Sequence, residues 1–224
     1  MPSAIKTIFF DVGNTLLFPN RARIHAPLVE RGHAPDASHL RDLERRIKKQ
    51  FDAQMTADGN HDHSFWWMFY TQLFAEIGLE DDALRDRLVT SIRDSGNWDQ
   101  ILPGTREQLQ AIAKRYRIAV ISNADGGIED VLRRCHIADC FLTITDSGLV
   151  GCEKPHPEIF RQALKSLNAK PADSLYVGDV YSVDYLGATG AGMQAVLMDV
   201  SGAYADKGVP RVESLAELQR TLAI

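Results

Sequence analysis

The chain has 224 residues, of which 45% are hydrophobic and 25% are charged, as in a folded globular protein of one core that carries an insertion. Its net charge of −5 argues against a nucleic-acid partner, which would need a clustered basic face. No apolar run approaches the ~20 residues that span a bilayer, so we expect no membrane segment.

The cysteines and the first residues of the chain indicate in which cellular compartment the protein is expected. Cys135, Cys140 and Cys152 form an odd set without a C-x-x-C pair, which is typical of reduced structural thiols. Residues Met1–Lys6 lack the basic and cleavable apolar parts of a signal peptide. We therefore expect a cytoplasmic protein. The sequence does not predict its oligomeric state.

In the first half of the chain, the sequence pattern changes from strand-like to helical after one strand. The apolar run at residues 5–11 predicts a buried parallel strand that ends at Asp11. Between Phe18 and Trp98, charged and apolar residues alternate at three- and four-residue spacing, which predicts helices. We place them near residues 21–32, 36–57, 64–78 and 81–94. Within the second, the basic run Arg45–Lys49 is interpreted as a solvated helix face.

From Leu102 onward, strands and helices alternate. Strands are predicted at residues 118–122, 141–145, 174–178 and 195–199, and helices near 106–116, 127–135, 157–167, 182–191 and 213–222. This alternation predicts an α/β fold with a doubly wound parallel sheet that also includes the first strand. We expect an α/β core domain of residues 1–17 and 99–224, with a helical domain of residues 18–98 inserted into it.

Polar and charged residues stand at the carboxyl ends of the predicted strands and ahead of the helix near 157. They are Asp11, Ser122, Asn123, Asp179, Asp184 and Lys154. A single carboxylate at a strand end is usually the N-cap of the next helix. Ligands of doubly wound sheets bind beyond the carboxyl ends of the strands, so four separate segments that agree predict one shared crevice.

This set of residues meets the requirements of phosphoryl transfer. Asp11 is a candidate nucleophile, because an aspartyl-phosphate splits one difficult step into two. Asp179 and Asp184 would repel it unless a cation were present, and Mg²⁺ takes such oxygen ligands. Ser122 would donate a hydrogen bond to a phosphate oxygen, and Lys154 would offset the negative charge.

Four motifs occur in a fixed order along the chain. They are D-V-G-N-T at 11–15, I-S-N at 121–123, K-P-H-P at 154–157 and G-D-V-Y-S-V-D at 178–184. On alternating strands and helices, this ordered set resembles the haloacid dehalogenase superfamily over essentially the whole chain.

The resemblance implies a role for each residue. Asp11 would be the nucleophile, with Ser122 and Lys154 completing the catalytic set. Mg²⁺ would be held by Asp11, Asp179, Asp184 and the backbone carbonyl of Gly13. The phosphate of a small phosphorylated or otherwise anionic substrate would be held by Ser122, Asn123 and Lys154. The helical insertion resembles the family's cap domain, which closes over the site and contacts the substrate.

Gly13 departs from the family's phosphatase pattern. Phosphatases of the family normally carry a second aspartate there, which protonates the leaving oxygen and then activates the attacking water. Glycine can do neither. General acid–base catalysis contributes about 10²–10⁴-fold, so we expect ordinary alkyl phosphates to react slowly.

Several functions remain open. The first is a Mg²⁺-dependent phosphohydrolase that acts on acyl or aryl phosphates, or borrows an acid from the cap. A dehalogenase-type hydrolase needs neither acid nor metal, but Asp179 and Asp184 would then leave negative charge beside Asp11. Phosphonate cleavage would require a cap lysine, for which only Lys48 and Lys49 are available. The alternative of another class is a binding or regulatory protein that has lost efficient turnover.

Three further features have simpler interpretations. His61 and His63 lie in a polar stretch without a third metal ligand nearby, which is typical of a solvated loop. The aromatic band at residues 65–74 has the spacing of a helix-bundle core rather than of a base-stacking platform. Arg21 and Arg23 follow the nucleophile turn and would either contact an anionic substrate or stay at the surface.

Overall fold

The computed structural model describes residues 5–58 and 64–223. Its central sheet has six strands: β1 Thr7–Phe10, β4 Arg117–Ser122, β5 Ile144–Asp146, β6 Ser174–Gly178, β7 Gln194–Met198 and β8 Arg211–Val212. They lie in the order β5-β4-β1-β6-β7-β8, and every neighbouring pair is parallel. A second, antiparallel sheet consists of β2 Leu17–Phe18 and β3 Gln100–Ile101. The predicted α/β fold with a parallel sheet is therefore confirmed.

Among the described residues, the helices fall into two groups. Five lie between β2 and β3: α1 Arg21–Ile24, α2 Ala26–Val29, α3 Ala37–Asp58, α4 Ser64–Ile77 and α5 Asp82–Arg93. Six alternate with the strands: α6 Thr105–Ala113, α7 Ile128–Arg134, α8 Ser147–Val150, α9 Pro157–Ser166, α10 Leu186–Gly190 and α11 Leu215–Thr221. Within the described part of the chain, no helix has the length and apolar character needed to cross a membrane.

The predicted elements are confirmed with local differences. The helix predicted at 21–32 is two short helices, because Pro27 has no N–H to donate and its ring crowds the preceding turn. The helix predicted near 182–191 begins as a single π-helical turn, Tyr181–Tyr185. The strand predicted at 141–145 begins later, as Ile144–Asp146, and the strands β2, β3 and β8 were not predicted, since two residues are too few to show a period.

Two hydrophobic clusters sandwich the sheet, and a third lies among α1–α5. Ile8 and Phe10 point into one cluster, while Phe9 points into the other, as the alternation along a strand requires. The third cluster is built around buried residues such as Phe69 and Leu73 of α4. The strand β1 is thus buried on both faces, which fixes the position of the residue that follows it.

His25, between α1 and α2, is a buried titratable group within the helical segment. Its ring is 4% exposed, and its Nε2 lies 3.2 Å from the Tyr70 hydroxyl. Burial, with a further contribution from the charge of Arg21, lowers the pKa of His25 from 6.5 to about 4. The folded protein therefore holds this ring neutral over a pH range in which the unfolded chain protonates it.

Acidification should destabilise the fold through His25. A lowered folded-state pKa means that stability present above pH 6.5 is lost as the pH falls toward 4. Between pH 7 and pH 4.5 we expect a loss on the order of 2 kcal/mol from this group. Urea unfolding at both pH values should show that His25→Gln removes this part of the pH dependence. The same substitution at half-buried His33 is the control, and equal pH dependence in both variants would refute the assignment.

Candidate active site

The carboxyl ends of three strands meet at one edge of the sheet. Asp11 follows β1, Ser122 ends β4, and Asp179 follows β6. The parallel registers keep these ends level, and the Asp11 N–H donates to the Val177 carbonyl at 2.8 Å. Topology therefore brings together residues that are far apart in the sequence, as predicted.

Three carboxylates form a buried cluster at this edge. Asp11, Asp179 and Asp184 each place one oxygen within 4.8 Å of the others. The π-helical turn orients Asp184, whose Oδ2 accepts the N–H groups of Asp179 and Val180 at 3.0 and 2.9 Å. A Cβ at Gly178 would lie only 2.5 Å from the Asp184 Cγ, so this approach requires glycine. The arrangement could hold a divalent cation through its oxygen atoms.

Lys154 forms ion pairs with two of the three carboxylates. Its Nζ lies 2.6 Å from Asp11 Oδ1, 2.8 Å from Asp184 Oδ1 and 2.8 Å from the Tyr176 hydroxyl. Burial alone would lower the pKa of Lys154, but the charges of Asp11 and Asp184 outweigh it and raise that pKa. The ammonium group therefore stays charged within the cluster.

Asn123 is bound to the backbone of Lys154. Its Nδ2 donates to the Lys154 carbonyl at 2.9 Å, and its Oδ1 accepts the Lys154 N–H at 2.7 Å. Both ends of the amide are thus engaged. We infer that Asn123 positions the lysine, whereas the neighbouring Ser122 side chain is buried at the same cavity.

Two carboxyl groups of the cluster have raised pKa values. Burial raises the pKa of Asp11 to about 7, with the charges of Asp184 and Asp179 adding to it and Lys154 opposing it. Burial also raises the pKa of Asp179, against the charge of Lys48. A cation bound here would favour the ionised form of both carboxyl groups.

Lys48 corrects the interpretation of the basic run as a solvated face. It is 1% exposed, and its Nζ lies 2.7 Å from Asp179 Oδ2 and 3.2 Å from Glu44 Oε1. Glu44, Lys48 and Asp52 recur every four residues on α3 and form one stripe, which faces the carboxyl edge of the sheet. Asp52 Oδ1 accepts the Ser182 N–H at 3.0 Å. The other basic residues of the run, Arg45, Arg46 and Lys49, are exposed and fit the earlier interpretation.

The two arginines near the nucleophile turn form ion pairs within the protein. Arg21 pairs with Glu44 at 3.3 Å, and Arg23 pairs with Asp99 at 2.6 Å. Neither lines the cavity above Asp11. The candidate histidines at 61 and 63 lie outside the described residues.

A cavity of about 440 Å³ opens above the cluster. Its floor contains all of the predicted site residues: Asp11, Gly13, Ser122, Asn123, Lys154, Asp179 and Asp184. The helical segment and its junction with β3 also line the cavity, with two polar residues, Arg93 and Ser95, and six apolar ones: Phe51, Met55, Phe65, Trp66, Ile92 and Trp98. The aromatic band is thus core only in part, since Phe69 and Tyr70 are fully buried while Trp66 lines the cavity.

Gly13 has an aromatic neighbour. A Cβ built on it would lie 3.2 Å from Trp98 Cζ3, and the Trp98 indole N–H is fixed by donating to the Ile92 carbonyl at 2.7 Å. The space in which a side chain at position 13 would begin is therefore bordered by an indole ring. Sequence reasoning identified the glycine but had no signal for this ring, which is 85 residues further along the chain.

Similar proteins agree on the class of the chain. The family model of haloacid dehalogenase-like hydrolases matches residues 5–192. Haloacid dehalogenase-like hydrolase domain-containing protein 3 of Xenopus laevis is 30% identical over 207 residues, which are 87% of this chain and 84% of the relative. Glyceraldehyde 3-phosphate phosphatase of Methanothermobacter thermautotrophicus is 42% identical over 91 residues, 39% of each protein.

Solved structures share the fold. The HAD hydrolase YfnB of Bacillus subtilis, solved bound to magnesium, aligns with a TM-score of 0.72 at 20% identity and covers 99% of this chain and 100% of its own. A dehalogenase solved as an intermediate complex aligns with a TM-score of 0.65 at 22% identity over 100% of both chains. The family match, the curated relatives and the parallel sheet agree: the chain belongs to the haloacid dehalogenase-like hydrolases.

Proposed function

We propose that the protein is a Mg²⁺-dependent phosphohydrolase that moves the phosphoryl group of a small phosphorylated metabolite to Asp11 and then to water. The observation that supports it is the buried cluster in which Asp11 lies beside two further carboxylates and Lys154, under a cavity of substrate size. A phosphatase among the relatives supports the same reaction class.

The donor set fits a divalent cation. Asp11, Asp179, Asp184 and the Gly13 carbonyl would supply the hard oxygen ligands that Mg²⁺ prefers. Asp11, Asp179 and Asp184 face the two ammonium groups of Lys48 and Lys154, and Lys48 is shared with Glu44, so a bound cation would offset negative charge that the lysines leave. Once bound, the ion would supply positive charge against the negative charge of the phosphoryl group.

The residues of the chain divide the chemistry among them. A carboxylate oxygen of Asp11 attacks phosphorus, and the leaving oxygen departs with its electron pair to give an aspartyl-phosphate. Water then attacks phosphorus and regenerates the Asp11 carboxylate. Lys154 offsets charge on the phosphoryl oxygens, Ser122 donates a hydrogen bond to one of them, and Asn123 holds the lysine in place.

We further propose that residues 18–98 form a cap domain over a core of residues 1–17 and 99–224. The helices α1–α5 have an apolar cluster of their own, which also packs against Val180 and Val183 of the sheet edge. The β2–β3 pair lies at the two connections between the segments. A cap in this position would exclude water and strengthen electrostatic interactions at Asp11.

Loss of the nucleophile should abolish turnover. We expect Asp11→Asn to reduce Mg²⁺-dependent phosphate release from acetyl phosphate by at least about 10³-fold, because an amide cannot form the intermediate. Asp206→Asn, at an exposed carboxylate paired with Lys49, is the control and should be unchanged. If Asp11→Asn keeps a tenth of the native rate while correctly folded, Asp11 is not the nucleophile.

Lys48 should weaken the binding of Mg²⁺ and stabilise the metal-free fold. Lys48→Met removes the ion-pair partner of the buried Asp179 and leaves Glu44 with Arg21 alone, so the free energy of unfolding measured in EDTA should fall by about 3 kcal/mol. Calorimetry should show Mg²⁺ binding at least ~10-fold tighter, since a competing positive charge is gone.

Lys49→Met removes the adjacent, exposed lysine of the same helix and should change either quantity little. If the two variants have the same stability and the same Mg²⁺ affinity, Lys48 has no electrostatic role in the cluster.

Restoring an acid at position 13 should require room beside Trp98. Gly13→Asp alone forces the ring to yield, because the new Cβ lies 3.2 Å from it. We therefore expect Gly13→Asp combined with Trp98→Phe to raise glycerol phosphate turnover at least ~10-fold over Trp98→Phe alone. If the double variant folds, binds Mg²⁺ and gains nothing, the missing acid does not limit the reaction.

A metal-free dehalogenase is the second candidate, and one observation favours it. Without a metal, Asp179 and Asp184 would place negative charge beside Asp11. Lys48 and Lys154 each pair with a carboxylate of the cluster and offset part of that charge. Halide release from 2-chloropropionate in EDTA, without phosphate release from any phosphate in Mg²⁺, would establish this reaction instead. Absence of both activities with Mg²⁺ still bound would favour a binding or regulatory protein.

A further inference from the structure

The helical segment lines the cavity with six apolar side chains, four of them aromatic, beside Arg93 and Ser95. Phe65 and Trp66 enter it from α4, and Trp98 enters it from the connection to β3. Trp66 is the centre of this group, with ring centroids 4.9 Å from Phe65 and 5.7 Å from Trp98, both in edge-to-face arrangement. The rings therefore support one another and form a rigid apolar surface.

This surface lies where the leaving group of a phosphate ester must be. Trp98 borders Gly13, two residues from the candidate nucleophile, and Asp11 lines the same cavity. The surface formed by Phe65, Trp66 and Trp98 offers few hydrogen-bond partners to the hydroxyl groups of a sugar or polyol, since the Trp98 N–H already donates to Ile92, and burying those groups unpaired against it is unfavourable. The same wall stabilises a flat apolar ring by contact and by edge-to-face packing.

The chemistry at Gly13 points to the same kind of substrate. Without an acid at this position, the leaving oxygen must depart unprotonated. A phenol has a pKa near 10, whereas the O–H of water ionises only near 15.7, so an aryl oxide leaves far more readily than an alkoxide. Glycine and the aromatic wall thus favour one class of leaving group through independent physical effects.

We infer that the substrates of this site are aryl phosphates, the phosphate monoesters of aromatic alcohols, with the ring held against Trp66 and Trp98. The inference rests on the phosphohydrolase activity proposed above. Asp11 attacks phosphorus, the bond between phosphorus and the aryl oxygen breaks, and the aryl oxide takes its proton from solvent. Water then attacks the aspartyl-phosphate at phosphorus and loses a proton to solvent, the bond between phosphorus and the Asp11 oxygen breaks, and inorganic phosphate is released. A cavity of about 440 Å³ has room for one ring and a phosphate group.

Binding to the native protein tests the inference without turnover. Phenylphosphonate and methylphosphonate are non-hydrolysable probes that differ only in the ring. In Mg²⁺, we expect phenylphosphonate to bind at least ~10-fold more tightly and to change the tryptophan fluorescence. Equal affinity of the two probes would overturn the inference.

The kinetics of matched variants tests whether Trp66 binds the aromatic ring of the substrate. Trp66→Ala should lower kcat/KM for phenyl phosphate about 10-fold more than it lowers kcat/KM for acetyl phosphate, mainly through KM. Trp67→Ala is the control, because that neighbouring ring is 48% exposed and lies outside the cavity lining. Trp66→Leu replaces Trp66→Ala if the latter fails to fold. An equal loss with both substrates would overturn the role of Trp66.

The two proposals can fail separately. Hydrolysis of acetyl phosphate with no preference for aromatic probes would keep the phosphohydrolase and reject the aryl substrate class. Preferential binding of phenylphosphonate without hydrolysis of any phosphate would reject the phosphohydrolase, and with it aryl phosphates as substrates, leaving only an aromatic ligand site.

Discussion

The buried ammonium group of Lys154 is the interaction on which the rest of the site depends. It joins Asp11, at the end of the first strand, to Asp184, on the turn after β6, at 2.6 and 2.8 Å. Asn123, from the end of β4, fixes the lysine backbone. Removing this cation would take the ion-pair partner from two buried carboxylates, which costs several kcal/mol. One ion-pair network therefore stabilises the sheet edge and forms the candidate phosphate site.

The helical segment completes this edge in two different ways. Lys48 brings a second positive charge to Asp179, so the position of α3 is linked to the charge of the acidic cluster. Trp98 borders Gly13, where the family's phosphatases carry an acid. In the proposed reaction, the first contact would reduce the positive charge that a metal must supply, and the second would restrict which leaving groups can depart. Both constraints come from residues outside the motifs that define the family.

The sequence predicted what depends on local pattern and on topology. Alternating strands and helices required a parallel sheet, and the carboxyl ends of such strands meet, so Asp11 and Asp179 were found together. It could not predict Lys48, because charges at helical spacing look the same whether the face meets water or a carboxylate 131 residues away. Trp66 was assigned to the core for the same reason, since core and cavity wall share one spacing.

A direct test of the central claim is to trap the phosphoryl group on the protein. The native chain would be mixed with phosphorus-labelled acetyl phosphate in Mg²⁺, quenched rapidly in acid and digested to peptides. We predict label on the peptide that contains Asp11, absent when EDTA replaces Mg²⁺ and absent in Asp11→Asn. Phosphate release without any label on Asp11 would contradict the aspartyl-phosphate mechanism.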